Sequence, residues 1–359
     1  MTITSPKEFP IFKTKTPGIT ERFDITDTVG RKKYFEAKVG KEIEKLREYL
    51  KKDTFIAFLL GKKNSGKGTY SKLFMEAVES ANVGHVAVGD IVRDIHAGLD
   101  SHDHKTKLIE FLRGNYRGFH SVEETIALIE GRDQSSLVST ELIIALLKYE
   151  ISKRSRQALF IDGFPRGLDQ ISYSLFLREL IGYRDDPDLL AFISVPNAVI
   201  DERIKYRVVC PICKTPRNLK LMATKYVGYD EKDGSFYLMC DNPSCNKARM
   251  IRKEGDELGI EPIRRRLEVD EEVFRQLLRL HGISKVYLRN AIPTDVAKEY
   301  VDDYELTPEY VYERDASGAV RTIEKPWTIE DDDGVLSYSL LPPAVVVSLI
   351  KQMAGVLRL

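Results

Sequence analysis

A glycine-rich loop between an apolar run and a helical pattern constrains the fold of this chain more than any other feature. The apolar run Phe55–Leu60 stops at Gly61, four residues follow, and then comes Gly66-Lys-Gly-Thr69, after which a helical pattern begins at Tyr70. In such a loop small residues let backbone N–H groups surround phosphate oxygens, a helix N-terminus faces the anion, and a lysine reaches the outer phosphates. The stretch therefore predicts a phosphate-binding loop between a buried strand and a helix.

Two further apolar runs, residues 158–161 and 189–195, have the length and composition of buried strands. A helical pattern over residues 140–151 precedes the first of them. Short apolar strands that alternate with helices predict an α/β fold, in which a parallel sheet is covered by helices on both faces. Ligands of such sheets bind beyond the carboxyl ends of the strands, so polar residues directly after a strand are the candidates for function.

Composition restricts the class of protein and its compartment. The 359 residues include 55 basic and 55 acidic ones, a balance that disfavours nucleic acid or an anionic membrane as the main partner. The first residues lack the apolar segment of a secretory signal. The most apolar late stretch, residues 344–350, is far shorter than the roughly 20 residues that cross a bilayer. We expect a cytoplasmic protein of roughly two domains, or one large domain with insertions.

The four cysteines form two close pairs, Cys210 with Cys213 and Cys240 with Cys245. Because cytosolic thiols stay reduced, these residues are better metal ligands than disulfide partners. Four thiolates in two pairs predict a closed tetrahedral site of the kind that holds structural zinc, although the second pair is more widely spaced than usual. Such an ion would stabilise a small lobe that has little core of its own. The sequence leaves open zinc or iron, and unligated or redox-active cysteines are the alternative.

The ending Lys67-Gly-Thr69 of the loop resembles that of nucleoside monophosphate kinases, and of adenylate kinases in particular. Three later segments resemble the same family in the same order: residues 85–93, residues 160–170 with Asp162-Gly-Phe-Pro-Arg166, and the arginine-rich segments on both sides of the cysteines. The chain departs from the family at Lys63-Asn64, where the family usually has Pro-Gly. Because asparagine tolerates left-handed backbone angles, the turn can still form.

The resemblance implies a P-loop NTPase-type parallel sheet with an inserted acceptor-binding lobe and an inserted metal-bearing lid. It also implies roles for individual residues. The implied contacts to ATP are Gly61, Asn64, Ser65, Gly66, Lys67, Gly68, Thr69, Arg203 and Arg207. The implied contacts to the acceptor nucleotide are Val88, Gly89, Asp90, Arg93, Val138, Gly163, Arg166, Gln170, Arg252 and Arg266. The implied catalytic residues are Lys67, Arg93, Asp162, Arg166, Arg207, Arg252 and Arg266.

In this scheme Lys67 holds the donor phosphates, and Arg93 and Arg166 hold the acceptor phosphate. The lid arginines neutralise charge on the phosphoryl group in transfer. Asp90 and Asp162 would orient the water ligands of Mg²⁺, which prefers oxygen donors. The implied organisation is an N-terminal extension (1–50), core (51–95), acceptor lobe (96–150), core (151–206), zinc lid (207–252) and core completion (253–359). The last part would contain a hairpin insertion at about 291–330, followed by the final strand and helix of the fold within residues 336–350.

The acceptor base is the least determined part of the prediction. Val88 stands where adenylate kinases usually have a threonine, and valine cannot donate or accept a hydrogen bond. Gln170 and the paired cysteines favour an adenylate kinase, which converts ATP and AMP to two ADP. A UMP/CMP kinase is the alternative within the family, with GMP a further acceptor.

Two readings of other classes also remain. A non-catalytic nucleotide sensor or assembly factor would not need the lid arginines, and a zinc-ribbon nucleic-acid binder is disfavoured by the neutral charge. We expect ATP and a nucleoside monophosphate as ligands and a monomeric protein.

Overall fold

The computed structural model describes residues 3–130, 139–154, 156–168, 170 and 180–359. In chain order, the strands of these residues are β1 (Ile56–Leu60), β2 (Val83–Ala87), β3 (Ala158–Asp162), β4 (Asp188–Ser194), β5 (Arg207–Val209), β6 (Pro216–Asn218), β7 (Tyr226–Asp230), β8 (Ser235–Met239), β9 (Ile251–Arg252), β10 (Ser284–Arg289), β11 (Ala291–Pro293), β12 (Pro308–Arg314), β13 (Val320–Pro326), β14 (Thr328–Glu330) and β15 (Leu336–Ser339). The α-helices are α1 (Thr28–Leu50), α2 (Lys67–Val78), α3 (Val88–Gly98), α4 (His102–Asn115), α5 (Val122–Glu130), α6 (Thr140–Ser152), α7 (Asn197–Lys205), α8 (Arg264–Leu278), α9 (Ala297–Tyr300) and α10 (Pro342–Val356).

A five-stranded parallel sheet with strand order β10-β4-β1-β3-β2 forms the centre of the molecule. All five residues of β1 are buried, because successive side chains point to opposite faces and helices cover both. Ala57 and Leu59 pack in one apolar cluster with α1, α2 and α10, whereas Ile56 and Phe58 pack in another with α3, α6 and α8. The predicted α/β class with a helix-covered parallel sheet is confirmed.

The last strand of this sheet lies elsewhere than expected. The fifth parallel strand is β10, not part of residues 336–350, and β15 instead pairs antiparallel with β11 and β14. In β10 the alternating Val286 and Leu288 are fully buried, whereas the buried positions of β15 are the hydroxyl residues Ser337 and Ser339. The final helix does occur, as α10, which begins with Pro342, a residue suited to the first helical turn.

The chain between β10 and α10 is thus one continuous insertion into the core. It contains the small sheet β11-β15-β14 and the hairpin β12–β13, in which Arg314 lies opposite Val320. Residues 315–319 form the turn of this hairpin.

Helix α1 begins at Thr28, because the Asp27 side chain accepts hydrogen bonds from the N–H groups of Val29 and Gly30 and so caps the helix. Its buried residues include Tyr34, Ile43 and Leu46, which are fully buried. The helix contacts α2 and α10 on one face of the sheet.

A buried ionic cluster joins the N-terminal arm, α1 and the insertion. The Lys38 Nζ lies 2.6 Å from Asp302 Oδ2 and 3.9 Å from Glu305 Oε1, and the side chains of Lys38 and Glu305 are both fully buried. Glu305 also accepts hydrogen bonds from the hydroxyls of Tyr34 and Thr14, each at 2.5 Å. Burial, with Glu305 beside the hydroxyl, raises the pKa of Tyr34 well above its ordinary value. The cluster fixes two peripheral segments to the core.

We predict that Lys38→Ala lowers the free energy of unfolding by about 3–5 kcal/mol, because it leaves buried carboxylates without their cation. Lys32→Ala on the same helix is the control, since Lys32 pairs with Glu79 at the surface and its loss costs at most about 1 kcal/mol. Guanidinium unfolding of the two variants measures the difference. Equal losses would contradict the buried cluster.

We also predict a pH dependence of stability that originates at the start of β4. Asp188 Oδ2 accepts a hydrogen bond from Gly182 N at 2.6 Å, its Oδ1 is buried without a partner, and burial raises the pKa of this carboxyl to about 6. The folded state therefore holds the proton to higher pH than the unfolded state, so stability falls as pH rises from about 4 to 6.

Asp188→Asn should remove this loss and stabilise the protein at pH 7.5, by up to about 1 kcal/mol after allowance for solvent screening. Urea unfolding at pH 4.5 and 7.5 measures the effect, and the exposed Asp185→Asn serves as control. A destabilised Asp188→Asn protein at pH 7.5 would show that the carboxylate is instead favourable there.

Candidate active site

The glycine-rich loop connects β1 to α2 as predicted, and its backbone shows why these residues are needed. Asn64 has φ of 64° and Gly66 has φ of 97°, so both adopt the left-handed region, which asparagine and glycine tolerate best. A Cβ atom at Gly61 would lie 2.8 Å from the carbonyl oxygen of Ile193 on the neighbouring strand. The loop therefore passes close to β4 before α2 begins at Lys67.

Lys67 lies between the loop and the end of β3. Its Nζ donates to the carbonyl oxygens of Gly61 (2.9 Å) and Lys62 (3.1 Å) and lies 3.8 Å from Asp162 Oδ1. Burial lowers the pKa of Lys67, and the nearby Asp162 carboxylate opposes that shift. The lysine is thus held at the N-terminus of α2 beside the Asp162 carboxylate. An anionic ligand at this position would contact the lysine and the N-terminus of the helix.

A cavity of about 300 Å³ lies beyond the carboxyl ends of β1 and β3. It brings together the predicted residues Lys67, Asp162, Gly163, Arg166 and Arg266, which come from three distant parts of the sequence. Burial and the neighbouring Arg266 guanidinium lower the pKa of Arg166. Two guanidinium groups that repel each other across one cavity form a site suited to a phosphate-bearing ligand.

The predicted acceptor residues on α3 are arranged differently. Asp90 and Arg93 form an ion pair with each other, and their side chains are more than half exposed. Val88 is buried in the apolar core. Within the described part of the chain, the residues that line the cavity include none of these three.

Gln170 connects the Asp162–Arg166 segment to α6. Its side-chain oxygen accepts from Arg166 N at 2.6 Å, and its amide group donates to Thr140 Oγ1 at 3.2 Å. Val138, another predicted acceptor contact, lies outside the described residues.

The other predicted lid arginines do not line the cavity. Arg207 donates to both carboxylate oxygens of Asp256 at 2.7 Å, and Arg252 is exposed on β9. Arg203 lies beside the buried hydroxyl of Tyr70. Bidentate pairs of this kind are strong and directional, so Arg207 is held by the protein itself in this arrangement.

Two carboxylates of this region, Asp256 and Asp270, are not among the residues predicted from the sequence. Asp270 lines the cavity, pairs with Arg266 at 2.8 Å and accepts a hydrogen bond from Lys63 N at 2.9 Å. Its spacing of four residues from Arg266 within a helical pattern was the available signal, because such pairs face each other on a helix.

The four cysteine sulfurs lie within 4.8 Å of one another, close enough to surround one metal ion. Cys210, Cys240 and Cys245 are buried in a small apolar cluster within the predicted lid, residues 207–252. The Thr215 hydroxyl lies 3.2 Å from the Cys213 sulfur and lowers the pKa of this thiol to about 6. Burial raises the pKa of Cys240 and Cys245, so it is the arrangement of the four sulfurs that suits the site to one metal ion held through thiolates.

The hairpin β12–β13 of the insertion lies against this lid. Tyr312 Oη donates to the carbonyl oxygen of Leu219 at 2.6 Å, and Arg314 pairs with Glu231 at 2.6 Å and lies over the ring of Tyr229. The same insertion reaches the phosphate loop, where Asp332 accepts from Lys62 Nζ at 2.6 Å. It therefore contacts both the loop and the lid, which the sequence did not indicate.

None of the helices in the described ranges is long and apolar enough to cross a membrane.

No family model matches the chain. The adenylate kinase of Clostridium novyi is 29% identical over 226 residues, which is 62% of this chain and 85% of that protein. The adenylate kinase of Clostridium acetobutylicum is 28% identical over 233 residues, or 65% of this chain and 86% of that protein. The chain is similar in sequence to adenylate kinases. The predicted resemblance is confirmed, and with it the prediction of an enzyme of the nucleoside monophosphate kinase class.

We predict that the purified protein carries one metal ion per chain and loses it on Cys210→Ser substitution, because a closed four-thiolate site needs every ligand. Strong chelation should lower the melting temperature, since metal binding contributes to the folding of such lobes. Elemental analysis and thermal unfolding measure both effects, with Ser244→Ala between the ligands as control. Unchanged metal content in Cys210→Ser would contradict the site.

Proposed function

We propose that the protein catalyses reversible phosphoryl transfer from Mg-ATP to AMP, giving two ADP. The observation that carries this proposal is the single cavity in which the phosphate loop, the Asp162–Arg166 segment and Arg266 meet. The names of the curated relatives support the choice of AMP.

The chemistry requires positioning and charge stabilisation more than covalent participation by the protein. The bond between the γ-phosphorus of ATP and its bridging oxygen breaks, and its electron pair stays with the departing ADP. A bond forms from an oxygen of the acceptor phosphate to the same phosphorus. No nucleophilic side chain or general base is needed.

The cavity residues fit these tasks. The loop amides and Lys67 would hold the donor phosphates, Arg166 would hold the acceptor phosphate, and Arg266 would neutralise charge on the phosphoryl group in transfer. Asp162 ends a buried strand 3.8 Å from Lys67, where its oxygens could hold Mg²⁺ through water; Asp90 is its predicted partner. The ion, when bound, neutralises phosphate charge.

Closure of the lid would complete the site. Arg207 now pairs with Asp256 and Arg252 is exposed, so both would have to change partners to reach a phosphate. Arg93 would likewise have to leave Asp90 for the acceptor phosphate. Such closure excludes water, which would otherwise hydrolyse ATP. We propose that zinc held by the four cysteines keeps this small lobe folded, and that it has no catalytic part.

Fewer contacts support the identity of the acceptor base than support the reaction. Val88 is buried and offers no hydrogen bond, whereas Gln170 is held by Arg166 N and Thr140 near the cavity. We propose AMP as the acceptor, UMP or CMP as the alternative, and a monomeric enzyme of the cytoplasm.

The test is a coupled assay of ADP formation from Mg-ATP with AMP, UMP, CMP or GMP. We expect turnover with AMP, and a loss of at least about 100-fold in kcat/KM for Arg166→Ala and Arg266→Ala, since each removes a preorganised cation. The neighbouring Arg265, which is exposed, provides the matched control Arg265→Ala, with activity unchanged.

Preference for a pyrimidine nucleotide would overturn the choice of AMP and keep the reaction class. Binding of ATP without transfer to any of the four acceptors would reject the proposed activity and favour a nucleotide sensor.

A further inference from the structure

The carboxylate of Asp270 connects two parts of the site that the sequence separates by about 200 residues. Oδ2 accepts a hydrogen bond from Lys63 N in the phosphate loop at 2.9 Å, and Oδ1 lies 2.8 Å from a guanidinium nitrogen of Arg266. The side chain is only 9% exposed. A charge-assisted hydrogen bond and an ion pair thus share one largely buried group.

The N–H that Asp270 engages is absent from a loop with the family's usual residue. Position 63 carries lysine where that residue is proline, and proline has no backbone N–H. In this structure the Lys63 N–H donates to Asp270 Oδ2, so the protein itself satisfies this donor.

The substitution of Lys63-Asn64 for Pro-Gly also changes the stiffness of the loop. Proline restricts the backbone of the unfolded chain, whereas lysine does not. In this protein the hydrogen bond from Lys63 N to Asp270 on α8 instead fixes the loop at this position. This contact gives a physical role to Lys63, which stands where the family usually has proline.

The charges around the cavity show why Arg266 needs a partner. Arg166 and Arg266 face the same cavity together with Lys67, and like charges at this range repel. The Asp270 carboxylate offsets part of that repulsion and holds the Arg266 side chain in one direction. Without such a partner, the arginine would occupy the productive rotamer for a smaller fraction of the time.

We propose that Asp270 is a positioning residue, which ties Arg266 to the phosphate loop and so sets its place relative to the donor phosphates. The inference rests on the proposed phosphoryl transfer, because it assigns Arg266 to the group in transfer. Asp270 itself touches neither nucleotide in this account.

The first test is a double-mutant cycle of kcat with Asp270→Asn and Arg266→Ala. Asp270→Asn should lower kcat about tenfold or more, because the neutral asparagine no longer forms an ion pair with Arg266. The KM for ATP should change by less than about twofold, because the asparagine still accepts the hydrogen bond from Lys63 N. In the Arg266→Ala background the same substitution should cause no further loss. Glu272→Gln, on the same helix and paired with Arg275, is the control.

Two outcomes of this cycle would overturn the proposal. One is an unchanged kcat for Asp270→Asn. The other is a full loss in the Arg266→Ala background, which would show that the carboxylate acts on the nucleotide or its metal directly.

The second test does not depend on activity. Asp270→Ala should lower the melting temperature more than Asp270→Asn, since alanine cannot accept from Lys63 N. The effect of Asp270→Ala should shrink in a Lys63→Pro background, where that N–H is already absent. Equal melting temperatures for the alanine and asparagine variants would reject the bond to the loop. If the unmodified protein transfers no phosphoryl group, the proposed function fails, and the thermal cycle still decides whether Asp270 holds the loop.

Discussion

The hydrogen-bonded pairing of β1 with β3 is the interaction on which the rest of the site depends. Leu59 of β1 lies opposite Asp162 of β3, so the two strands end at the same edge of the sheet. This register places the glycine-rich loop beside the Asp162 carboxylate, so that Lys67 Nζ lies 3.8 Å from Asp162 Oδ1. Because strand pairing fixes backbone positions, both elements are in place before any ligand arrives, which reduces the reorganisation that binding and reaction require.

The insertion between β10 and α10 connects three parts of the molecule. It is fixed to α1 through the buried Lys38–Glu305 cluster, to the phosphate loop through Asp332, and to the lid through Tyr312 and Arg314. If residues 207–252 move as a lid, as we propose, the movement must either carry the hairpin along or break these contacts. The free energy of the proposed closure would then depend on the insertion as well as on the nucleotide.

The sequence predicted those features that local chemistry determines. The loop, the strand ends and the paired cysteines each combine residue types that one task requires, and their positions along the chain were sufficient to place them. It failed where partners are distant. The fifth parallel strand was misplaced because two segments, residues 284–289 and 336–339, are both short and partly apolar, and only pairing decides between them. Asp270 was not predicted because a carboxylate near arginines on a helical stretch is usually a surface residue, and Asp256 was not predicted because its partner Arg207 lies 49 residues away in the sequence.

In the proposed function one cavity accommodates donor and acceptor together, with Arg166 and Arg266 around the phosphate between them. Calorimetric titration with two adenosines joined through five phosphates tests this claim directly, because that compound fills both subsites at once. We expect one molecule to bind per chain, at least about 100-fold more tightly than ATP, since a linked ligand gains from both subsites at once. Arg166→Ala should remove most of that gain. Binding no tighter than that of ATP alone would contradict a shared cavity.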